Sequence, residues 1–288
     1  MTWLPAYDVV GAAPGAATLF LMHGILGNRH NWRSFAQLLA GALPGVSVVV
    51  VDHRGHGDSH GASPPDTVAA CADDLAALAA ALGVRPWVTV GHSFSGKVVL
   101  EHVSRHPAAA PEQVWVLDSP PGPGVRCGED HEVRRVMAAL REVPLPLQRR
   151  AHIVEFFEAR GLSRDMGLWM TTNLKQVPGG FRFRFELEGC QRLLEDYFGV
   201  DGWPVLLAPR AGPRIELVIA ERSDRWGGET LAPWLRLAPG VPTRRHVLAN
   251  AGHWLHADNP RGLRELMVQY LPGRATETSS AAPAAPGA

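Results

Sequence analysis

The chain of 288 residues is predicted to be an α/β protein: a mostly parallel sheet flanked by helices, with a helical cap inserted between late strands. Two patterns carry that prediction. Short apolar runs rich in β-branched residues recur at a length that suits strands buried on both faces. Between several of them the apolar residues change to a three-to-four spacing, the mark of a helix with one buried face. Strand alternating with helix implies parallel neighbours, because a parallel pair needs a crossover connection between its strands.

Taken in order, the predicted strands are 18–22 (TLFLM), 46–51 (VSVVVV), 87–90 (WVTV), 114–117 (VWVL), 215–219 (IELVI) and the more weakly patterned 245–248 (RHVL). Helical spacing follows the first at Trp32, Phe35, Leu38 and Leu39, the second at Val68, Leu75, Leu78 and Leu82, and the third at Val98, Val99 and Val103. A last helix is expected over 260–271. The alternation breaks between Pro120 and Pro213, where helix-like pieces around 132–142, 149–160 and 186–197 come without a central strand. Pro- and Gly-rich joints at 119–124 and 208–213 would serve as hinges for a cap lying over the strand ends. The expected organisation is therefore a core of residues 1–119 and 213–271 with a cap of 120–212. Residues 272–288, rich in Pro, Ala, Ser and Thr, are expected to form a disordered tail.

Composition narrows the function classes. Lys and Arg number 28 against 28 Asp and Glu, with a pI near 7.2, so no overall field draws the chain to nucleic acid or to anionic membranes. No apolar stretch reaches the ~18 residues that a membrane helix needs, and the start MTWLPAYDVV lacks the pattern of a secretory signal. A cytoplasmic location is the expectation. Cys71, Cys127 and Cys190 lie far apart, without zinc-site spacing or a disulfide framework, so reduced thiols are expected. The basic residues are almost all arginine, only Lys97 and Lys175 being lysines, and the arginines are dispersed among acids as on a solvated face.

In an open parallel sheet, ligands bind beyond the carboxyl ends of the strands, and the residues after these runs carry reactive groups. GHSFSGK at 91–97 puts Ser93 between a strand and a helix with small neighbours, as a tight nucleophile turn requires. The G-x-S-x-G pattern is altered: Ser95 stands where the second glycine would be, and Gly96 follows. HGILG at 23–27 would bring a flexible turn beside that elbow, making the backbone N–H groups of Ile25 and Phe94 the candidate oxyanion donors. A serine hydroxyl needs a base, and AGHWLHAD at 251–258 supplies His253 directly after the last strand. His256 is read as structural, holding a loop through its ring nitrogens, and His92 as packing or a turn hydrogen bond. For the orienting acid, Asp118 and Asp224 each follow a late strand, and either could face His253. DHRGHGDSH at 52–60 has histidines and aspartates but not the spacing of a shared metal face, so no metal is assigned. The aromatic residues Phe156, Phe157, Trp169, Phe181, Phe183, Tyr197, Phe198 and Trp203 are read as cap core, without assigned substrate contacts.

Taken together, HG at 23–24, DHRGHGDS at 52–59, GHSFSGK at 91–97 and AGHWLHAD at 251–258 resemble the α/β-hydrolase fold family across most of the chain outside cap and tail. GHSFSGK, VLDSPPG and the GHW-x-HAD-x-P ending resemble more narrowly the small-ester carboxylesterases that include the bacterial YbfF-type esterases and the human abhydrolase-domain-11 group. The resemblance implies a serine hydrolase that cleaves an ester or thioester of a small molecule through an acyl-enzyme on Ser93, with no metal or organic cofactor. It also implies that the 52–59 block is a structural loop in which Arg54 and Asp58 hydrogen-bond locally. In the wider family the acid commonly follows the penultimate strand in a G-x-x-D register, where this chain has Ala220-Glu-Arg-Ser223 and Asp224 comes one residue late. Asp118 ends its strand cleanly, as in the esterase branch, and is preferred over Asp224. Relatives on this fold also cleave C–C bonds, act as lyases or serve as ligand receptors.

Overall fold

A computed structural model describes residues 3–12, 17–124, 132–208, 212–237 and 240–273. Seven strands form one sheet: β1 (Tyr7–Gly11), β2 (Ala17–Met22), β3 (Val46–Val51), β4 (Pro86–His92), β5 (Gln113–Leu117), and the two late strands Arg214–Ala220 and Thr243–Leu248. Between β5 and the late strands lies a two-stranded hairpin of β6 (Leu174–Val177) and β7 (Gly180–Phe183), which makes the late strands β8 and β9. The order across the sheet is β1-β3-β2-β4-β5-β8-β9, and every pairing is parallel except that of β1 with β3. β1 has no apolar run to announce it. Its residues alternate between exposed and half-buried along the sheet edge, where one antiparallel partner suffices.

The helices are α1 (Arg33–Ala42), α2 (Val68–Ala81), α3 (Phe94–Arg105), α4 (Glu132–Arg141), α5 (His152–Glu158), α6 (Arg164–Thr172), α7 (Leu187–Gly199), α8 (Trp203–Leu207), α9 (Gly228–Leu231), α10 (Leu255–Asp258) and α11 (Pro260–Tyr270). Alternate strand residues feed opposite layers, as a period of two demands. Val48 and Val50 pack with Phe35 of α1 and Leu263 and Met267 of α11, whereas Val49 and Val51 pack with Leu75 of α2 and Val99 of α3. Buried valines on both faces explain why β3 reads as an apolar run broken only by Ser47.

The segment between β5 and β8 buries Ile153, Phe157, Met170, Phe183 and Cys190 together, in one cluster with Leu26 of the turn after β2. It is not purely helical. The β6–β7 hairpin turns at Pro178 and Gly179, and a bridge between Leu147 and Phe181 fastens it to the chain before α5. As expected, no strand of this segment joins the main sheet, but the hairpin itself is an addition: four-residue strands are too short to show a period, and each pairs outside the main sheet. Arg54 bonds locally, as expected, to the carbonyls of Ser63 at 3.0 Å and Pro65 at 2.6 Å, and the 52–60 loop is also tied further afield. Arg54 makes a two-pronged bond to Asp74 of α2 at 2.8 Å, and Asp58 pairs with Arg29 at 2.8 Å. Cys71 and Cys190 are buried free thiols, whereas Cys127 and residues 274–288 of the expected tail lie outside the described residues. No helix among the described residues is long and apolar enough to cross a membrane.

Candidate active site

The carboxyl ends of β2, β4, β5 and β8 converge on one cavity of about 800 Å³, lined by core and insertion residues alike. At the end of β4 the chain turns through Ser93, whose φ of 54° lies in the left-handed region that non-glycine residues avoid. The turn survives because its neighbours leave no room for alternatives. A Cβ on Gly91 would lie 2.1 Å from the carbonyl oxygen of Ser95, and one on Gly96 would lie 2.4 Å from Cβ of Ser119. Ser95, the departure from the usual motif, is fully buried and has work of its own. Its hydroxyl donates to the carbonyl of His23 and accepts from Nε2 of His53, so it ties the 23–27 turn to the elbow.

That turn is braced from below. His23 donates from Nδ1 to the carbonyl of Gly24 at 2.7 Å and accepts at Nε2 from the N–H of His53 at 3.2 Å. Leu26, also left-handed at φ 62°, gives its N–H to Nε2 of His56 at 3.1 Å. Burial pushes the pKa of His56 down to about 3 and those of His23 and His53 below the ordinary value, which keeps these rings neutral supports. A Cβ on Gly24 would sit 3.1 Å from that of Ser93, so the turn lies against the elbow serine. Ile25 and Phe94 both line the cavity beside Ser93.

Ser93 Oγ donates to Nε2 of His253 at 3.0 Å, and Nδ1 of His253 lies 2.7 Å from Oδ2 of Asp118. Asp118 is fully buried at the end of β5, itself left-handed at φ 46°. Its carboxylate accepts further bonds from Ser223 Oγ at 2.7 Å, Trp226 Nε1 at 2.8 Å and the N–H of Ala220 at 3.2 Å. Burial pushes this carboxyl up, but the hydrogen bonds from His253, Ser223 and Trp226 hold it below the usual carboxylate range. Asp224 is exposed, lines the cavity and makes no hydrogen bond to His253. Of the two candidate acids, the fold brings Asp118 to the histidine. Ser223, in the slot where the wider register expects the acid, turns its hydroxyl onto that same carboxylate.

His253 is depressed below the ordinary histidine value, first by burial and then by the neighbouring cation of Arg225, against the pull of Asp118. His92 donates from Nε2 to the carbonyl of His253 at 2.7 Å, so it clamps the histidine loop instead of closing a turn within its own segment. His256 is held by stacking on Trp32 at 3.9 Å between centroids, and its Nδ1 has no partner among the described residues. That corrects the expectation that its ring nitrogens hold the loop. Sequence reading also missed Arg225 and Trp226, whose side chains reach the site from a loop without periodicity.

The ligating atoms of the 52–60 loop are taken up internally: Asp52 by Arg29, His53 by Ser95, His56 by Leu26 and Arg54, His60 by Glu186. Among the described residues no group of three or more His, Cys, Asp and Glu is placed to hold a metal ion. Trp169, Tyr197, Phe198 and Trp203 line the cavity, whereas Phe157 and Phe183 form insertion core. Lys97, buried on α3, donates to the carbonyls of Tyr197 at 2.8 Å and Val200 at 2.9 Å and so binds the end of α7 to the elbow helix.

A family model described as the alpha/beta hydrolase family matches residues 19–266. The chain is 28% identical over 278 residues to the sn-1-specific diacylglycerol lipase ABHD11 of Mus musculus, covering 92% of this chain and 84% of that protein. It is 25% identical over 256 residues to the esterase YbfF of Escherichia coli strain K12, covering 88% and 92%. Among solved structures, a marine microorganism esterase superposes with a TM-score of 0.80 at 20% identity, covering 94% of this chain and all of that one, and shares the fold.

Proposed function

The chain belongs to the alpha/beta hydrolase family, and from that premise we propose that it hydrolyses a carboxylic ester or thioester of a small molecule through an acyl-enzyme on Ser93. The observation that carries the reading is the relay from Ser93 Oγ through His253 to Asp118, at 3.0 and 2.7 Å. The names of the relatives, a lipase and an esterase, agree with it.

Each residue then has a defined part. With the Nδ1 proton directed at Asp118, His253 presents the lone pair of Nε2 to Ser93 and accepts its proton as Oγ attacks the carbonyl carbon. The N–H groups of Ile25 and Phe94 stabilise the oxygen that becomes negative, with the positive end of α3 adding to their field. His253 next protonates the leaving oxygen or sulfur. Water, deprotonated by the same nitrogen, releases the acid and restores Ser93. Depression of the His253 pKa keeps the ring neutral, and therefore basic, at physiological pH.

A cavity of about 800 Å³ with aromatic walls falls within the range of small-molecule sites and has room for an acyl chain longer than acetate. The test is labelling with a fluorophosphonate, read by intact mass and peptide mapping, beside turnover of 4-nitrophenyl acetate, butyrate and octanoate. Modification at Ser93 and loss of turnover in Ser93→Ala are expected. Folded protein that neither labels nor turns over any of the esters would refute the reading.

A further inference from the structure

Arg225 touches the histidine of the relay, yet the reaction above gives it no part. Its Nε–H points at Nδ1 of His253 from 2.9 Å, while Asp118 Oδ2 lies 2.7 Å from the same atom. An imidazole nitrogen carries either a proton or a lone pair. When Nδ1 is protonated, as Ser93 requires, the Nε–H of Arg225 meets another N–H and loses its acceptor. The guanidinium has no ion pair among the described residues, and it is half-buried where it lines the cavity. The other cations of the cavity are occupied. Lys97 is bound to two carbonyls, and Arg222 donates to the carbonyl of Asn250 with Asp258 at 3.9 Å. Asp224, Asp165 and Glu132 reach the cavity only from exposed positions, where water screens them.

A partly buried guanidinium left without an anion in the competent state is matched by a ligand that brings one, and its planar fork suits a carboxylate. Its position indicates which half of the substrate carries the charge. The leaving atom must reach Nε2 to be protonated, and Arg225 stands at the other nitrogen of the same ring. We propose that Arg225 binds a carboxylate on the leaving half of the substrate, so that the preferred substrate is an acyl ester of a short hydroxy acid. The proposal rests on the ester-hydrolase reading and deepens it. Arg225 is here a specificity-determining residue: with the Nδ1 proton directed at Asp118, its Nε–H stands 2.9 Å from a nitrogen that offers it no lone pair.

The test compares 3-(butanoyloxy)propanoate with its neutral amide, 3-(butanoyloxy)propanamide, by release of butyrate at low ionic strength. Wild type is expected to favour the carboxylate in kcat/KM by about tenfold or more, the size of one charge-assisted hydrogen bond. Arg225→Gln should remove that ratio whatever its absolute rates, and Arg225→Lys should keep part of it. A ratio unchanged in Arg225→Gln would overturn the proposal. So would a preference only for acyl-side charge, 4-nitrophenyl hemisuccinate over 4-nitrophenyl butyrate. Calorimetric binding of the same carboxylate and amide to Ser93→Ala, with and without Arg225→Gln, reads the site without turnover. Failure of all hydrolysis sinks the esterase reading alone, whereas equal binding of carboxylate and amide sinks the role of Arg225.

Discussion

Replacing Asp118 by Asn separates the two candidate acids with a change of almost no volume. The amide can keep its oxygen only at the position that accepts from Ala220 N–H and Trp226 Nε1, because turning it round would set the NH2 group against both donors. Its NH2 group then replaces Oδ2 and faces Ser223 Oγ and His253 Nδ1. Ser223 can accept from it. His253 can accept only by moving its proton to Nε2, which places an N–H opposite the Ser93 hydroxyl at 3.0 Å and removes the base. Arg225, whose Nε–H lies 2.9 Å from Nδ1, would donate to the lone pair exposed there and so favours the same unproductive tautomer. Loss of the base by tautomer reversal is worth about 10⁴ in kcat, or ~5.5 kcal/mol of barrier. The assay is kcat/KM on 4-nitrophenyl butyrate for Asp118→Asn and Asp224→Asn, with circular dichroism and urea unfolding to show that both remain folded. Asp224 makes no hydrogen bond to the imidazole, so its variant should stay within about tenfold of wild type. An Asp118→Asn enzyme within tenfold of wild type, or an equal collapse in Asp224→Asn, would refute the reasoning.

Three further outcomes are expected. Because burial and Arg225 lower the pKa of His253, and the neutral ring is the base, kcat/KM should hold down to pH ~6.5 and fall only below it. Among the groups facing that ring, Asp118 and Asp224 pull the other way and His92 stays neutral, so an acidic limb centred above the ordinary histidine value would contradict this balance. Stability should decline over the same range, since His56 and His256 titrate near 3 in the fold and His53 and His92 are also strongly depressed. Below pH ~6.5 the unfolded chain binds protons that the native chain refuses, at up to ~1.4 kcal/mol per pH unit for each histidine; equal urea unfolding free energies at pH 7 and pH 5 would rule this out. Gly96→Ala would set a Cβ 2.4 Å from that of Ser119, prising α3 from β5 at a cost of about 1–3 kcal/mol and lowering kcat by on the order of 10²-fold through displacement of Ser93. Unchanged melting and turnover in that variant would show that the elbow has slack the geometry denies.

The turn at Ser93 and the histidine were legible in the sequence because their signals are local. A strand, a tight turn and a helix must follow one another with small residues at 91 and 96, and that requirement is written in adjacent letters. The buried strands announced themselves for a similar reason, since β3 is covered on both faces and is valine at every position but Ser47, whose hydroxyl donates to the carbonyl of Ala12. β1 and the β6–β7 hairpin did not, being half-exposed or too short for a period to register.

The choice of acid could not be local. β5 and β8 are neighbours in the sheet though nearly a hundred residues separate them, and their pairing of Leu117 with Val218 brings Asp118 and Ser223 to one spot. Serine could replace the acid of one strand because the next strand supplies it, a substitution visible only across the pairing. Ser95 departs from the motif by one letter, and only the fold shows it set between His23 and His53. Short-range sterics and burial are readable along a chain. Which polar groups meet is decided by strand order and register, and those are settled only when the whole sheet has formed.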